Sequence, residues 1–362
     1  MKKYSSISIE TENKKYISRC IQLAQKGIGN VSPNPMVGAV IVYNNKIIGE
    51  GYHKKFGEAH AEVNAINSVS DKSLLQKSTL YVSLEPCSHV GKTPACTDLI
   101  IKTAIPNVVI GSIDPYFEVA GKGIEKLKNA GINVETEILK DECIFLNRRF
   151  YTFHTKKRPY IILKWAQTSD GFIDAIRKSK EDILPKWITN ELSKTLVHKW
   201  RTEEDAILTG KNTVIKDNPQ LTARNWFGHN PIRIVIDKMC ELNKTYNIFD
   251  IKANTLIFNA LKDEKTENID YIKINFNKNV VQEVLHSLYN RNIQSIIIEG
   301  GTKTLNEFIN QNLWDETRLF IGKTNFGNGI PAPVFIAKEN ENYQIENTEL
   351  KIFYNTFANF TL

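Results

Sequence analysis

The chain has 362 residues, of which 41% are hydrophobic and 24% are charged. That length allows two domains with a hydrophobic core each, and the composition is ordinary for a soluble globular protein. No apolar run is long enough to cross a bilayer, and no signal-peptide core opens the chain, so neither a membrane partner nor a secretory route is expected. The five cysteines are few for a chain of this length and odd in number, so they do not indicate a disulfide framework. Their absence from such a framework favours a reducing cytoplasm.

The formal net charge of +7 suits either a nucleic-acid binder or an enzyme of phosphorylated substrates. Lys and Arg residues are scattered among Asn, Asp and Glu rather than gathered into a block. We therefore expect small phosphorylated molecules as partners and no nucleic acid.

Hydrophobic periodicity over residues 1–150 predicts strands that alternate with helices, the pattern of a three-layer α/β domain. The predicted strands are 36–43, 47–53, 79–84, 107–111 and 132–137, and the predicted helices are 16–26, 60–68, 94–104, 121–130 and 141–153. The basic segment 155–159 predicts a linker to a second domain over residues 158–362.

One histidine and two cysteines in this first domain have the spacing of a metal site. His60-Ala61-Glu62 precedes Glu85-Pro86-Cys87, and Cys96 follows after an eight-residue loop. One imidazole and two thiolates are the ligand set of a catalytic zinc site with one position left for a water. Glu62 stands two residues after the histidine, where zinc-dependent base deaminases have the carboxylate that moves protons.

A closed, purely structural zinc site is the alternative interpretation. His89 lies between the two cysteines and could serve as a fourth ligand. Such a site would leave Glu62 without a purpose, so we favour the open site.

Thr93-Pro94 predicts the start of a helix, with Thr93 as the cap and Pro94 at the first helical position. Cys96 should then lie in the first turn of that helix. A helix N-terminus stabilises thiolate, the metal-binding form of cysteine.

Longer motifs surround these residues. They are Asn34–Gly38, Gly51–His53, His60–Glu62 and Leu84–Cys96. Together they resemble the deaminase domain of the bifunctional deaminase–reductases of riboflavin biosynthesis. The resemblance implies a cytidine-deaminase-like fold, zinc bound by His60, Cys87 and Cys96, and Glu62 as the catalytic proton carrier. It also implies that the pyrimidine ribotide substrate is bound by Asn34, His53, His89 and Lys92.

The second part of the chain again alternates strands with helices. The predicted strands are 159–166, 206–210, 232–237, 254–258, 269–275 and 295–298, and the predicted helices are 187–200, capped by Thr189, then 280–289 and 303–311. Gly210 and the pair Gly300-Gly301 each stand between a buried strand and a helix, where backbone N–H groups can approach a phosphate. No G-x-G-x-x-G occurs, so a Rossmann fingerprint is absent.

Three segments around these glycines are Thr209–Val214, Asp217–Arg224 and Glu299–Leu305. They resemble the reductase domain of the same bifunctional family. The resemblance implies a dihydrofolate-reductase-like α/β fold, NADPH as the cofactor and pairing into a homo-oligomer. It implies NADPH contacts from Gln167, Trp187, Thr213, Asp217, Gly301, Thr302, Lys303 and Thr304. It implies substrate contacts from Lys164, Arg201, Leu221, Arg224 and Glu299.

Two of these residues have plainer interpretations. Trp187 could equally be a core residue, and Glu299 could be a carboxylate at a strand end in solvent. Two positions also depart from the family pattern: Ser169 replaces an apolar residue, and Pro185 lies in a charged and rather long flap.

The sequence therefore predicts a bifunctional enzyme of riboflavin synthesis. Its zinc-dependent deaminase domain would span residues 1–150 and its NADPH-dependent reductase domain residues 158–362. One alternative is a deaminase whose reductase domain is impaired, because of Ser169 and Pro185. A nucleic-acid-editing deaminase and a non-enzymatic zinc-stabilised binding module are further alternatives that the motifs disfavour.

Overall fold

The computed structural model describes residues 2–89, 94–116, 120–176 and 187–355. The chain divides into two units, the first up to Lys156 and the second over Lys157–Thr361. Within the described ranges, no helix is both long and apolar enough to cross a membrane.

The first unit is built on one mixed sheet. Its described strands are β1 (Gly38–Tyr43), β2 (Lys46–Tyr52), β3 (Thr79–Leu84), β4 (Asn107–Ser112) and β5 (Asn133–Glu135). The strand order is β2-β1-β3-β4-β5. Strands β3, β4 and β5 are parallel, whereas β1 runs antiparallel to both β2 and β3.

Helices cover both faces of this sheet. The described helices are α1 (Lys2–Ala24), α2 (Ala61–Ser68), α3 (Cys96–Lys102), α4 (Lys122–Asn129), α5 (Lys140–Leu146) and α6 (Arg148–Lys156). Along β1 the side chains alternate between two cores. Ala39 and Ile41 pack with α2, α3 and α4, while Val40 and Val42 pack with α1 and α5. The predicted three-layer α/β domain is confirmed, because a strand buried on both faces needs a helical layer on each.

Three local predictions for this unit were wrong. The single predicted helix 141–153 is two helices, α5 and α6, because Asn147 leaves the helical path and its side chain brackets the backbone of Met36. Helix α6 runs on to Lys156, into the segment predicted as a linker. Helix α3 begins at Cys96 with Ala95 as its N-cap, so Pro94 precedes the helix.

The second unit is built on a larger sheet. Its described strands are β6 (Tyr160–Thr168), β7 (Phe172–Ala175), β8 (Ala206–Gly210), β9 (Ile232–Ile236), β10 (Thr255–Asn259), β11 (Glu264–Lys265), β12 (Ile269–Lys273), β13 (Ser295–Ile298), β14 (Glu316–Gly322), β15 (Gly329–Pro331), β16 (Glu339–Ile345) and β17 (Thr348–Tyr354). The sheet order is β11-β12-β10-β9-β8-β13-β6-β14-β17-β16, and β7 pairs with β15 separately. The run from β12 to β14 is parallel, and β17 adds to it antiparallel.

Helices again lie on both faces. They are α7 (Glu191–Glu203), α8 (Lys211–Asp217), α9 (Val280–Tyr289) and α10 (Thr302–Asn310). One core contains side chains of α9 and α10, and the other contains side chains of α7 and α8. The cap of α7 is Asn190, whose side chain accepts from the Ser193 N–H, so the prediction of Thr189 was wrong. The strands that follow residue 311 were not predicted at all.

One buried cation joins strand β9 to the segment that leads into β10. Arg233 on β9 is fully buried, and its guanidinium donates to Thr255 Oγ1 at 2.9 Å and to Asp250 Oδ1 at 2.7 Å. The same group also donates to the carbonyls of Asn247, at 2.9 Å, and Ala253. Each of these partners would lose its donor if the guanidinium were removed.

We therefore expect Arg233→Met to lower the free energy of unfolding of the second unit by about 3 kcal/mol or more, because it breaks a buried ion pair. All five tryptophans lie in this unit, so tryptophan fluorescence during urea unfolding reports on it specifically. Arg291→Met, at an exposed position, is the matched control and should change little. Equal unfolding curves for the two variants would contradict the prediction.

Candidate active sites

The first candidate site lies at the edge of the sheet where β3 and β4 end. These strands are parallel and β1 is antiparallel to β3, so β1 begins at the same edge. Strand β2 also ends there, because Tyr52 pairs with Gly38. Asn34, His53 and Cys87 are far apart in sequence, yet each follows or precedes a strand at this edge.

The three predicted metal ligands converge here. His60 is the N-cap of α2, Cys87 lies three residues beyond β3, and Cys96 is the first residue of α3. His60 Nδ1 lies 3.6 Å from Cys87 Sγ and 3.4 Å from Cys96 Sγ. All three ligand atoms lie within 4.8 Å of one another.

These distances fit a tetrahedral zinc ion. With Zn–S near 2.3 Å and Zn–N near 2.0 Å, a sulfur and a nitrogen ligand at the tetrahedral angle are about 3.5 Å apart. The separations of 3.4 Å and 3.6 Å agree with that value. Three protein ligands leave one position for a water, as in a catalytic site.

The surroundings of Cys87 favour its thiolate. The Cys96 thiol, as the largest contribution, together with His60 lowers the pKa of Cys87 well below its usual range. The Cys96 backbone N–H, at the start of α3, also donates to Cys87 Sγ at 3.3 Å. A thiolate is the form of cysteine that binds zinc, so a lowered pKa suits Cys87 as a metal ligand.

Glu62 lies in the first turn of α2 and is only 3% exposed. Burial raises the pKa of the Glu62 carboxyl to about 7, and the neighbouring Cys87 adds to the effect. A carboxyl with a pKa near neutrality can accept a proton and return it within one reaction cycle.

Asn34 and His53 form a pair beside the ligands. His53 Nδ1 lies 3.1 Å from the Ala59 carbonyl, which can only accept, so Nδ1 carries the proton. The Asn34 amide then donates to His53 Nε2 at 3.1 Å. The His53 ring stands edge-on to His60, with 5.3 Å between ring centroids. Two predicted substrate residues and one metal ligand therefore share one wall of the site.

Two supporting residues were not singled out from the sequence. Asn147 is buried, accepts from the Met36 N–H and donates to the Met36 carbonyl, both at 2.8 Å, and so fixes the segment that carries Asn34. The Glu85 carboxylate accepts from the N–H groups of Gly121 at 3.0 Å and Gly123 at 2.9 Å, which ties Cys87 to the start of α4. The sequence offered one signal for Asn147: it is a polar residue inside an otherwise helical pattern.

The remaining deaminase predictions are His89, Lys92 and the cap Thr93. His89 is exposed and does not belong to the ligand cluster among the described residues, so nothing there supports the closed four-ligand site. Lys92 and the predicted cap Thr93 lie outside the described residues.

The second candidate site lies at the carboxyl edge of the neighbouring parallel strands β8, β13 and β6. Gly210 caps α8 and Gly301 caps α10. The Gly301 N–H donates to Thr213 Oγ1 at 3.2 Å, and a Cβ added at Gly210 would lie 2.7 Å from Thr304 Oγ1. The two predicted glycine corners therefore face each other, which suits a phosphate-bearing ligand approaching backbone N–H groups.

An ion network joins these strands. Leu163 pairs with Ile298, which places Lys164 beside Glu299, and Lys164 Nζ lies 3.7 Å from Glu299 Oε1. Arg201 donates to Glu299 Oε2 at 2.8 Å. The Glu299 side chain is only 12% exposed, so the interpretation of a solvated strand-end carboxylate was wrong.

These neighbours decide the ionisation of Glu299. Burial by itself would raise the pKa of Glu299, but Arg201 and Lys164 together hold it at about 2. Burial also lowers the pKa of Lys164, against the pull of Glu299. The result is an anion fixed between two cations at the edge of the site.

Arg224 differs from Arg201 in its surroundings. Arg201 is committed to Glu299 and to the Thr222 carbonyl, at 3.0 Å, whereas Arg224 is exposed. Partial desolvation by the surrounding loop lowers the pKa of Arg224, and the nearby charge of Arg201 lowers it further, so the two guanidinium groups lie close enough to interact. Leu221, in the same loop, is buried.

The other predicted cofactor residues lie on β6, α8 and α10 and just before α7. Trp187 is 59% exposed, with Lys194 Nζ 3.6 Å from its ring centroid, so the interpretation of Trp187 as a core residue was wrong. Gln167 lies near the end of β6 and accepts from the Trp165 indole at 3.0 Å. The remaining positions lie on α8 and α10: Asp217 ends α8, and Thr302, Lys303 and Thr304 form the first turn of α10.

Of the two positions that depart from the family pattern, the structure describes only Ser169. Ser169 lies in an exposed turn, where its hydroxyl donates to the Thr324 carbonyl at 3.3 Å. Pro185 lies outside the described residues.

Each half of the chain matches a known protein family. The family described as RibD C-terminal domain matches residues 159–353, and the cytidine and deoxycytidylate deaminase zinc-binding region matches residues 10–112. The riboflavin biosynthesis protein RibD of Aquifex aeolicus is 39% identical over 88% of this chain and 89% of its own length. The RibD protein of Bacillus amyloliquefaciens is 38% identical over 90% of this chain and 88% of its own length.

Solved structures agree with these matches over nearly the whole length. The diaminohydroxyphosphoribosylaminopyrimidine deaminase/5-amino-6-(5-phosphoribosylamino)uracil reductase of Thermotoga maritima is 37% identical, with a TM-score of 0.86 over 95% of this chain and 99% of that one. RibD of Acinetobacter baumannii is 30% identical, with a TM-score of 0.85 over 95% of this chain and 99% of its own. The chain therefore belongs to the RibD family of riboflavin biosynthesis proteins and combines a deaminase domain with a reductase domain.

Proposed function

We propose that the two sites catalyse successive steps of riboflavin synthesis. The first site hydrolytically deaminates 2,5-diamino-6-ribosylamino-4(3H)-pyrimidinone 5′-phosphate. The second site reduces the ribose of the deaminated product to a ribityl chain with NADPH, giving 5-amino-6-ribitylamino-uracil 5′-phosphate. The observation that carries the proposal is the cluster of His60, Cys87 and Cys96 beside a buried Glu62, in a chain that also has a complete reductase domain.

In the deaminase, His60, Cys87 and Cys96 would hold zinc. A zinc ion bound there supplies Lewis acidity and so lowers the pKa of a water. Glu62 takes a proton from the attacking water and delivers it to the amine nitrogen, so that the ring carbon gains oxygen and ammonia leaves. Asn34 and His53 orient the pyrimidine against this carboxyl.

In the reductase, the corners at Gly210 and Gly301 would bind NADPH, which supplies a hydride to the sugar carbon. Arg224 would bind the substrate phosphate, because its guanidinium is exposed whereas that of Arg201 is already paired. Lys164 lies beside Glu299 and would hydrogen-bond the sugar or deliver a proton to its oxygen. The expected pairing of reductase units into a homo-oligomer stays a prediction.

A deaminase with an impaired reductase domain is the second candidate. It is motivated by Ser169 and Pro185, and the two-step assay below decides between the candidates. Family membership and a full reductase domain disfavour a nucleic-acid-editing deaminase and a zinc-stabilised binding module.

We expect Glu62→Gln to lower ammonia release roughly 10²- to 10⁴-fold, because the proton carrier is lost while the metal ligands remain. Ammonia is measured with the deaminase substrate, and NADPH oxidation is followed with either that substrate or its deaminated product. The wild type should oxidise NADPH with both compounds, and Glu62→Gln only with the product.

Glu58→Gln is the matched control for this variant, since Glu58 is exposed and lies on the same segment. It should behave like the wild type. Ammonia release by the wild type without any NADPH oxidation, even from the product, would favour the impaired reductase instead.

We expect Cys87→Ala to reduce bound zinc from about one per chain to well below one, because a site with two ligands holds the ion weakly. Zinc is measured by elemental analysis of the dialysed protein. Cys240→Ala removes a thiol outside the cluster and should keep its zinc. A Cys87→Ala protein with full zinc content would refute this ligand assignment.

We expect Arg224→Ala to raise KM for the deaminated product about tenfold or more, because hydrogen bonds to charged groups contribute about 1.5–3 kcal/mol. KM for NADPH should change little. Both constants come from initial rates of NADPH oxidation. Arg291→Ala serves as the exposed control, and an unchanged KM for the product in Arg224→Ala would remove Arg224 from the phosphate site.

A further inference from the structure

A ribbon of two short strands lies beside the second candidate site. Strand β7 pairs antiparallel with β15, apart from the main sheet of the second unit. Strand β7 follows the end of β6 after a tight turn, and β15 follows the end of β14 after a short loop. Because β6 and β14 are parallel neighbours, both ribbon strands leave the main sheet at its carboxyl edge, where the candidate reductase site lies.

The end of β6 reaches past its neighbour β13. Pairing between these two strands ends with Leu163 opposite Ile298, whereas pairing between β6 and β14 continues to Thr168. Residues 164–168 therefore extend beyond the end of β13, beside the Glu299–Gly301 corner that leads into α10. The tip of β6 and the start of α10 are thus two sides of the candidate cofactor site.

The Asp170 carboxylate ties one end of the ribbon to the tip of β6. Its Oδ2 accepts from the N–H groups of Phe326 at 3.1 Å and Gly327 at 2.7 Å, in the loop that leads into β15. Its Oδ1 accepts from the hydroxyl of Thr168, the last residue of β6. Asp170 is therefore a shared acceptor for groups that precede the two strands of the ribbon.

The other end of the ribbon is attached at the cofactor corner. Thr302, the first residue of α10, donates its hydroxyl to the Pro331 carbonyl at 2.5 Å. The next residue of the ribbon, Ala332, donates its N–H to the Gly171 carbonyl at 2.9 Å. The ribbon thus connects the turn after β6 with the start of α10.

These polar contacts set the position of the ribbon. Two paired strands alone are marginally stable in water, and β15 has only three residues. Ile173 and Ala332 pack against the core of the unit, but apolar contacts have no preferred direction. Hydrogen bonds therefore hold β15 on both sides, at Gly327 before its first residue and at Pro331, its last.

We propose that Asp170 is a positioning residue for the cofactor of the reductase: its carboxylate holds the loop before β15 against the tip of β6 and so keeps β15 docked on the first turn of α10. The effect on the cofactor is indirect, because it passes through β15 and Thr302 to the backbone N–H groups at Gly301. The consequence for NADPH binding rests on the proposed reductase function, whereas the positioning of the ribbon does not.

Two substitutions separate the acceptor of Asp170 from its negative charge. Asp170→Ala removes the acceptor of both N–H groups. Asp170→Asn keeps an oxygen for these N–H groups, and its amide nitrogen can donate to Thr168 Oγ1, since a hydroxyl also accepts.

Asp263→Ala is the matched control. Asp263 is also exposed, and its carboxylate also accepts from a backbone N–H, that of Lys273 at 2.7 Å. It follows β10, which is separated from β6 by the three strands β9, β8 and β13. Its removal should therefore leave the ribbon and the cofactor site unchanged.

The first measurement is amide hydrogen exchange of peptides that cover β7 and β15, with no ligand present. Asp170→Ala should speed exchange there about three- to tenfold, the effect of losing a hydrogen bond, while Asp170→Asn and Asp263→Ala match the wild type. Tryptophan fluorescence checks that the second unit is folded in each variant. Unchanged exchange in Asp170→Ala, or no rescue by Asp170→Asn, would overturn the positioning role.

The second measurement is a titration of each variant with NADPH, followed by the fluorescence of the bound nucleotide. Asp170→Ala should raise Kd for NADPH about three- to tenfold, and Asp170→Asn should restore it. In steady-state NADPH oxidation KM for NADPH should rise by the same factor, with kcat and KM for the deaminated product nearly unchanged.

Faster exchange without a change in Kd, or an equal rise in KM for the deaminated product, would overturn the link between the ribbon and the cofactor. A wild type that binds no NADPH would instead contradict the proposed function, and the exchange experiment would still test Asp170.

Discussion

Strand direction is the constraint on which both sites depend. Parallel strands end at one edge of a sheet, and residues that follow them are brought together however far apart they lie in the sequence. In the first unit the ends of β3 and β4 and the start of β1 share an edge, which gathers Asn34, His53 and Cys87. In the second unit β6, β8 and β13 end together, which gathers Gly210 and Glu299.

Each site contains a buried carboxylate, and the neighbouring groups shift its pKa in opposite directions in the two sites. Glu62 is buried beside a thiolate, which raises its pKa to about 7 and lets it exchange protons near neutral pH. Glu299 is buried between Arg201 and Lys164, which hold its pKa at about 2 and keep it charged. The same side chain has a pKa near neutrality in one unit and well below its usual range in the other because of the groups around it.

Several predicted elements agree closely with the structure, and the exceptions share a cause. Strand β3 and helix α9 have the predicted bounds, because the pattern of buried side chains that marks each element can be read from its own residues. The predicted helix 141–153 was wrong because Asn147 bonds to Met36, a residue 111 positions away. Strands β14, β16 and β17 were missed, because their place depends on partner strands far away in the sequence: β14 is buried between β6 and β17, and β16 is a mostly exposed edge strand.

The sequence by itself determined the family, and it predicted the metal ligands and the proton carrier, because these depend on residue types at short spacings and on long motifs. It did not reveal that Arg201 is paired with Glu299 and with the Thr222 carbonyl while Arg224 is exposed. Those arrangements join residues of different helices, strands and loops. Only the packing of α7 against the edge of the second sheet brings them within hydrogen-bond distance, and periodicity along a chain carries no information about such contacts.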